Sequence, residues 1–194
     1  MARPREFDRE DALRRATTAF WRKGFAATST EELLDAMGIG RQSLYNAFGD
    51  KRKLYLEVLQ SYRERSIGGH LSRLHSTASP LAGLRKLLTG LADPDDETRA
   101  LGCLGVGAVG EFGTSDPELL AQSSQAGAFL ASSIVDRLRE GQRLGEIDAS
   151  LDVRKACALL QTVMTGLQVS ARAGASVQAM HDVAQFAIDR LKAG

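Results

Sequence analysis

The stretch from Arg41 to Phe48 carries side chains whose types and spacing suit nucleic acid. At about 100° per residue, Leu44 and Phe48 share one side of a helix, while Gln42 and Asn46 centre the other with Ser43 beside them. Gln and Asn each bond an adenine edge bidentately in the major groove, and Arg41, at the helix start, is placed for a guanine or a phosphate. Lys51, Arg52 and Lys53 open the next segment, where cations and free amides at a helix start suit phosphate oxygens. Arg3, Arg5 and Arg9 are candidates for further contacts from an N-terminal arm. Singly, each of these residues is what any solvated helix face carries; the joint pattern points to DNA.

Cys103 is the candidate for a second chemistry. It lies four residues after Arg99, near an expected helix start, where a cation and the amide dipoles favour thiolate. The competing reading is an inert, buried thiol, which is also how Cys157 reads among Ala156, Ala158 and Leu159. Gly105-Val106-Gly107-Ala108-Val109-Gly110 fits the spacing of a dinucleotide-binding turn, but that turn must follow a buried strand. Asp93-Pro94-Asp95-Asp96-Glu97 precedes it instead. The glycines are therefore expected either to allow close packing or to line a cavity, and no cofactor is assigned. His70, His75 and His181 share no ligand spacing with each other or a cysteine, so no metal site is expected. No nucleophile elbow or acid–base pair suggests an enzyme.

The elements that must position these residues are helical. The chain has 194 residues, 43% hydrophobic and 25% charged, the composition of an ordinary globular protein. Residues 1–60 carry 11 Lys+Arg against 9 Asp+Glu, and the remainder 14 against 15, so bulk charge does not argue for DNA and the placement of charge must. Apolar residues recur at helical spacing nearly throughout, without sustained alternation. This predicts an all-α fold of about nine helices. Ser29-x-x-Glu32 is a capping box, Gly38-Ile39-Gly40 is a turn, and the segment from Ser29 to Phe48 has the size of a helix-turn-helix. A fourth helix is expected over about 51–66, fraying at Gly68-Gly69, and Ser79-Pro80 and Asp116-Pro117 each open another. Asp152 and Ser176 cap the last two, whose Gly166, Ala171, Ala173 and Ala184 suit close approach of helices in a dimer. We expect a DNA-binding head over 1–50 and a ligand-binding and dimerisation region over 51–194. No run is long and apolar enough to span a bilayer, and the N-terminus lacks a secretory h-region, so the expected location is cytoplasmic.

Phe20, Gly24-Phe25, Thr28-Ser29-Thr30-Glu31-Glu32-Leu33, Gly38-Ile39 and Ser43-Leu44-Tyr45-Asn46-Ala47-Phe48-Gly49-Asp50-Lys51 resemble the DNA-binding domain of TetR-type repressors, densely over 7–62. The resemblance implies a homodimer whose heads read the halves of a palindromic operator on double-stranded DNA and whose C-terminal region binds a small-molecule inducer. It implies phosphate contacts at Thr28, Tyr45 and Lys51, and a reading helix carrying Arg41, Gln42, Ser43 and Asn46. Two departures stand out: Gly40 replaces the usual Ser or Thr cap, and Asn46 replaces a common aromatic. Gly102-Cys103-Leu104 through Glu111 is similar to a subgroup in which a cysteine senses electrophiles or oxidants. Cys103, Phe112 and Met164 are the candidate ligand-binding or sensor residues. The alternative is a helical small-molecule binder without operator-specific DNA binding.

Overall fold

The computed structural model describes residues 7–193. Its order is α1 Arg9–Lys23, α2 Thr30–Met37, α3 Arg41–Phe48, α4 Lys51–Leu74, α5 Pro80–Thr89, α6 Asp96–Leu101, α7 Leu104–Phe112, α8 Pro117–Arg143, α9 Val153–Arg172 and α10 Val177–Asp189. The only extended pairing among the described residues is a single antiparallel bridge, Ile147 to Lys192.

Local chemistry starts these helices. Asp8, Ser29, Asp50, Ser79, Asp95, Asp116, Asp152 and Ser176 each accept a first-turn amide, satisfying donors that have no intrahelical partner. The Ser29–Glu32 capping box is reciprocal, as expected. The fourth helix runs further than the sequence suggested: α4 is continuous through Gly68 and Gly69 to Leu74, because tertiary packing outweighs the weak helix propensity of two glycines. The segment around Cys103 forms two helices, since Gly102 at φ +61° turns the chain between α6 and α7.

Two apolar clusters result. One joins α1–α4 and takes in Leu104, Ala108 and Leu119 from α7 and α8. The other runs from Leu74 through α5, α8, α9 and α10. α4 contributes Leu54, Tyr55, Val58 and Leu59 to the first and Leu74 to the second, so one rigid helix spans both. The expectation for the small residues of the last two helices needs correction: Ala171 of α9 and Ala184 of α10 are buried inside the protomer, where they fill its own core. Gly166 and Ala173 are exposed.

Candidate nucleic-acid interface

α2 and α3 pack as a helix-turn-helix. Gly38, at φ +68°, closes α2 in the left-handed conformation and donates its amide to Leu34 and Asp35; glycine takes this geometry without steric cost. Leu44 and Phe48 pin α3 to the head core, and the Phe48 ring lies 6.4 Å from Phe7. The opposite side stands clear. Arg41, Gln42 and Asn46 are exposed, Ser43 is half-buried, and Tyr45 is 48% exposed. Gln42 donates from Nε2 to Asn46 Oδ1 at 2.9 Å, so the two amides are held one turn apart as a single polar unit. Arg41 is paired with Glu31 of α2; this exposed pair is weak enough to give way to a phosphate. Gly40 leaves α3 without a side-chain cap.

The flanking residues divide. Lys51 is half-buried and its ammonium sits 4.3 Å from the Phe25 ring centre, which positions the cation beside the start of α4. Lys53 is exposed. Arg52 is turned away: it binds Asp116 at 2.6 and 3.2 Å and Glu118 at 3.1 Å, tying the start of α4 to the start of α8, and its guanidinium holds the Asp116 carboxyl below the usual range. Thr28 is also corrected. It is fully buried, and its hydroxyl donates to the Gly24 carbonyl at 2.6 Å, so its side chain shapes the turn before α2 instead of reaching a phosphate. Arg9 pairs with Glu57 at 2.6 and 2.8 Å and lies over the Phe48 ring at 4.6 Å, which makes it a tie between α1 and α4. Arg3 and Arg5 lie outside the described residues. In the scaffold, Lys23 and then the Ser29 amide hold the Glu32 carboxyl at about 2.

Cys103 caps α7 with extended backbone and is partly exposed. The cation expected beside it is absent from that role: Arg99 donates to Ala175 O and Asp93 O, both at 2.9 Å, and pairs with Asp96. The turn at Gly102 ends α6 before Cys103, so the four-residue spacing no longer aligns the two side chains. Tyr62 takes the place beside the thiol, and burial pushes its phenol pKa up. Phe112 is packed against Phe25 and Tyr55 at 5.6 and 5.9 Å, while Met164 is buried in the other apolar cluster. The structure does not bring these three residues to one cavity. Gly105, Gly107 and Gly110 sit inside α7. What the sequence offered no signal for is Glu111 and Arg172, whose partners in α1 and the turn after it lie 85 or more residues away.

Comparison with known proteins agrees with this geometry. Residues 12–58 match the family described as bacterial regulatory proteins, tetR family, and residues 80–187 match the tetracyclin repressor-like C-terminal domain. The HTH-type transcriptional repressor ComR of Escherichia coli is 28% identical over 94% of this chain and 88% of its own. The uncharacterized HTH-type transcriptional regulator YezE of Bacillus subtilis is 29% identical over 94% and 95%. Among solved structures, a cysteine mutant of the TetR family regulator CifR complexed with 26 bp double-strand operator DNA is 30% identical, covers 96% of this chain and 98% of its own, and superposes with a TM-score of 0.84.

Proposed function

The chain belongs to the TetR family of bacterial regulatory proteins, and from that premise we propose that it is a dimeric, ligand-responsive transcriptional repressor whose α3 reads a palindromic operator. One observation carries the assignment to α3: a short helix fixed by Leu44 and Phe48 presents Gln42 and Asn46 to solvent as a bonded pair. In the mechanism, Gln42, Ser43 and Asn46 enter the major groove and contact base edges. Arg41 exchanges Glu31 for a base or phosphate, while Tyr45 and Lys51 contact the backbone, which sets register without reading sequence.

A single head covers half a palindrome, so the operator needs two heads about 34–36 Å apart. The apolar side chains left exposed on α9 and α10, Leu159, Val169, Val183 and Phe186, supply the surface on which two copies associate. The functional division falls at 50/51, with α4 carrying motion from the body over 51–194 to the head. Cys103 acts as a sensor, because its modification at the start of α7 bears on Tyr62 of α4. No helix among the described residues is long and apolar enough to cross a membrane, in keeping with a cytoplasmic regulator.

The test is capture of sheared genomic DNA from the source organism by the purified protein at about 100–150 mM salt, where non-specific binding weakens. One enriched palindrome establishes the reading. Retention of DNA without sequence preference, or none at all, removes it. Alkylation of Cys103, compared with Cys103→Ser, then tests the sensor by release of that operator.

A further inference from the structure

The end of α1 is gripped from the body by two side chains that DNA recognition does not use. Arg172, the last residue of α9, donates to the carbonyls of Trp21 and Arg22, each at 3.1 Å, and to that of Leu101 at 2.9 Å. Glu111 of α7 accepts from the amides of Phe25 at 2.9 Å and Ala26 at 2.6 Å. Carbonyls that the end of α1 leaves unpaired, and two amides of the turn after it, are thus satisfied from elsewhere in the molecule. Both grips border one cavity of about 320 Å³ between α1, α4, α7 and α9, within the range of small-molecule sites.

The walls describe what fits. Gly107 and Gly110 lie three residues apart, on one face of α7, and a methyl group built on either meets nothing within 4 Å. They form a shelf of bare backbone in a wall shared with Trp21 and Tyr55. Trp21 Nε1 and Tyr55 Oη are buried without a hydrogen-bond partner, which is uncommon for such groups. Arg172 bonds only carbonyl oxygens among the described residues, so its charge has no counter-ion there. A flat ring suits the shelf, and an anionic oxygen suits Arg172.

We propose that this cavity binds a small planar aromatic carboxylate, its ring on the Gly107–Gly110 shelf and its carboxylate on Arg172, and that occupancy releases the end of α1. A hydrogen bond to an ionised acceptor is roughly twice as strong as one to a neutral carbonyl, so the ligand draws the guanidinium from Trp21 and Arg22. The ring's positive edge faces the side of the cavity that Glu111 forms. The release step rests on the regulator reading above; the binding step does not.

Trp21 is the chain's single tryptophan and lines the cavity, so its fluorescence reports occupancy. The intact protein is titrated with benzoate and 4-chlorobenzoate, and with benzyl alcohol as the uncharged comparison. A saturable fluorescence change with the carboxylates, at least tenfold weaker with benzyl alcohol, is expected. Arg172→Gln and Gly107→Leu should each weaken the carboxylate at least tenfold, with circular dichroism and melting midpoint read alongside. In the unmodified chain, the carboxylate should also slow alkylation of Cys103, which borders the same cavity; this arm holds even if a variant fails to fold. No saturable response to either carboxylate, equal response to benzyl alcohol, or an undiminished response in folded Gly107→Leu overturns the site. A chain that binds carboxylate but no operator overturns the regulator reading alone, and one that binds operator without responding to carboxylate overturns this proposal alone. Bound carboxylate that leaves operator affinity unchanged overturns the release step.

Discussion

Gln42 donates to Asn46 at 2.9 Å in the free protein, so if these two residues read DNA as proposed, binding exchanges one amide bond for bonds to base edges. The exchange is favourable only where the bases match, which is how a pre-paired couple gains selectivity. Gln42→Ala is therefore expected to weaken operator binding by about 1–3 kcal/mol and to relax one base position. Lys51→Ala is expected to weaken operator and random DNA alike and to lower the salt slope by about 1. Fluorescence anisotropy over a salt series on both DNAs separates the two. Equal losses on cognate and random DNA for Gln42→Ala would remove its base-reading role. Thr28 marks the limit of reasoning by residue type: a threonine beside a helix start suits a phosphate, but this one is sealed in the core.

At the scale of the element, α4 decides how the head is carried. It is held at its start by Arg52 to α8, at its middle by Arg63 to Gln122 and Ser123 at 2.9 and 2.7 Å, and at its end by α5. There the space is tight, because a methyl group on Gly83 would stand 2.2 Å from the Leu74 carbonyl. Gly83→Ala is expected to destabilise the protein by about 1–3 kcal/mol, seen as a lower denaturant midpoint at unchanged slope. The same helix holds His70 between Ser66 at 3.2 Å and Arg73 at 2.8 Å. Burial, and then the Arg73 charge, lower its pKa to about 4. The unfolded chain takes up that proton near the ordinary value of about 6.5, so the unfolded state binds more protons between the two values. Stability from this group is full above about pH 6.5 and falls as pH drops towards 4. Melting midpoints across that window should decline in the natural chain and flatten in His70→Gln; parallel curves would exclude His70 as the cause.

For the whole molecule, the question is what two heads require. Phe186 is 64% exposed on α10, with Arg190 stacked over its ring at 4.7 Å, and Val183 is exposed on the same face. On the dimeric reading proposed above, this exposed face of α10 is where a second copy packs. Phe186→Glu is expected to shift the protein from dimer to monomer in sedimentation velocity and to lower operator affinity by more than tenfold, since a lone head spans one half-site. A dimer that survives the change would move the interface elsewhere.

The all-α class, most of the helix starts and the helix-turn-helix were legible in the sequence because their causes are local. A capping side chain, a glycine at a left-handed position and apolar residues at helical spacing act within one or two turns. The outward face of α3 followed from the same periodicity, since Leu44 and Phe48 could only point inward. Tertiary structure alone decided the remainder. Arg52, Arg9 and Arg99 carry the charge expected of DNA or thiol contacts, yet each is claimed by a carboxylate or carbonyl from packing partners that composition does not specify. The two grips on the end of α1 and its following turn join residues 85 to 151 positions apart, and the glycine run became part of a cavity wall only when α1 and α9 packed beside it. Such contacts depend on which helix faces lie side by side, and no local periodicity encodes that.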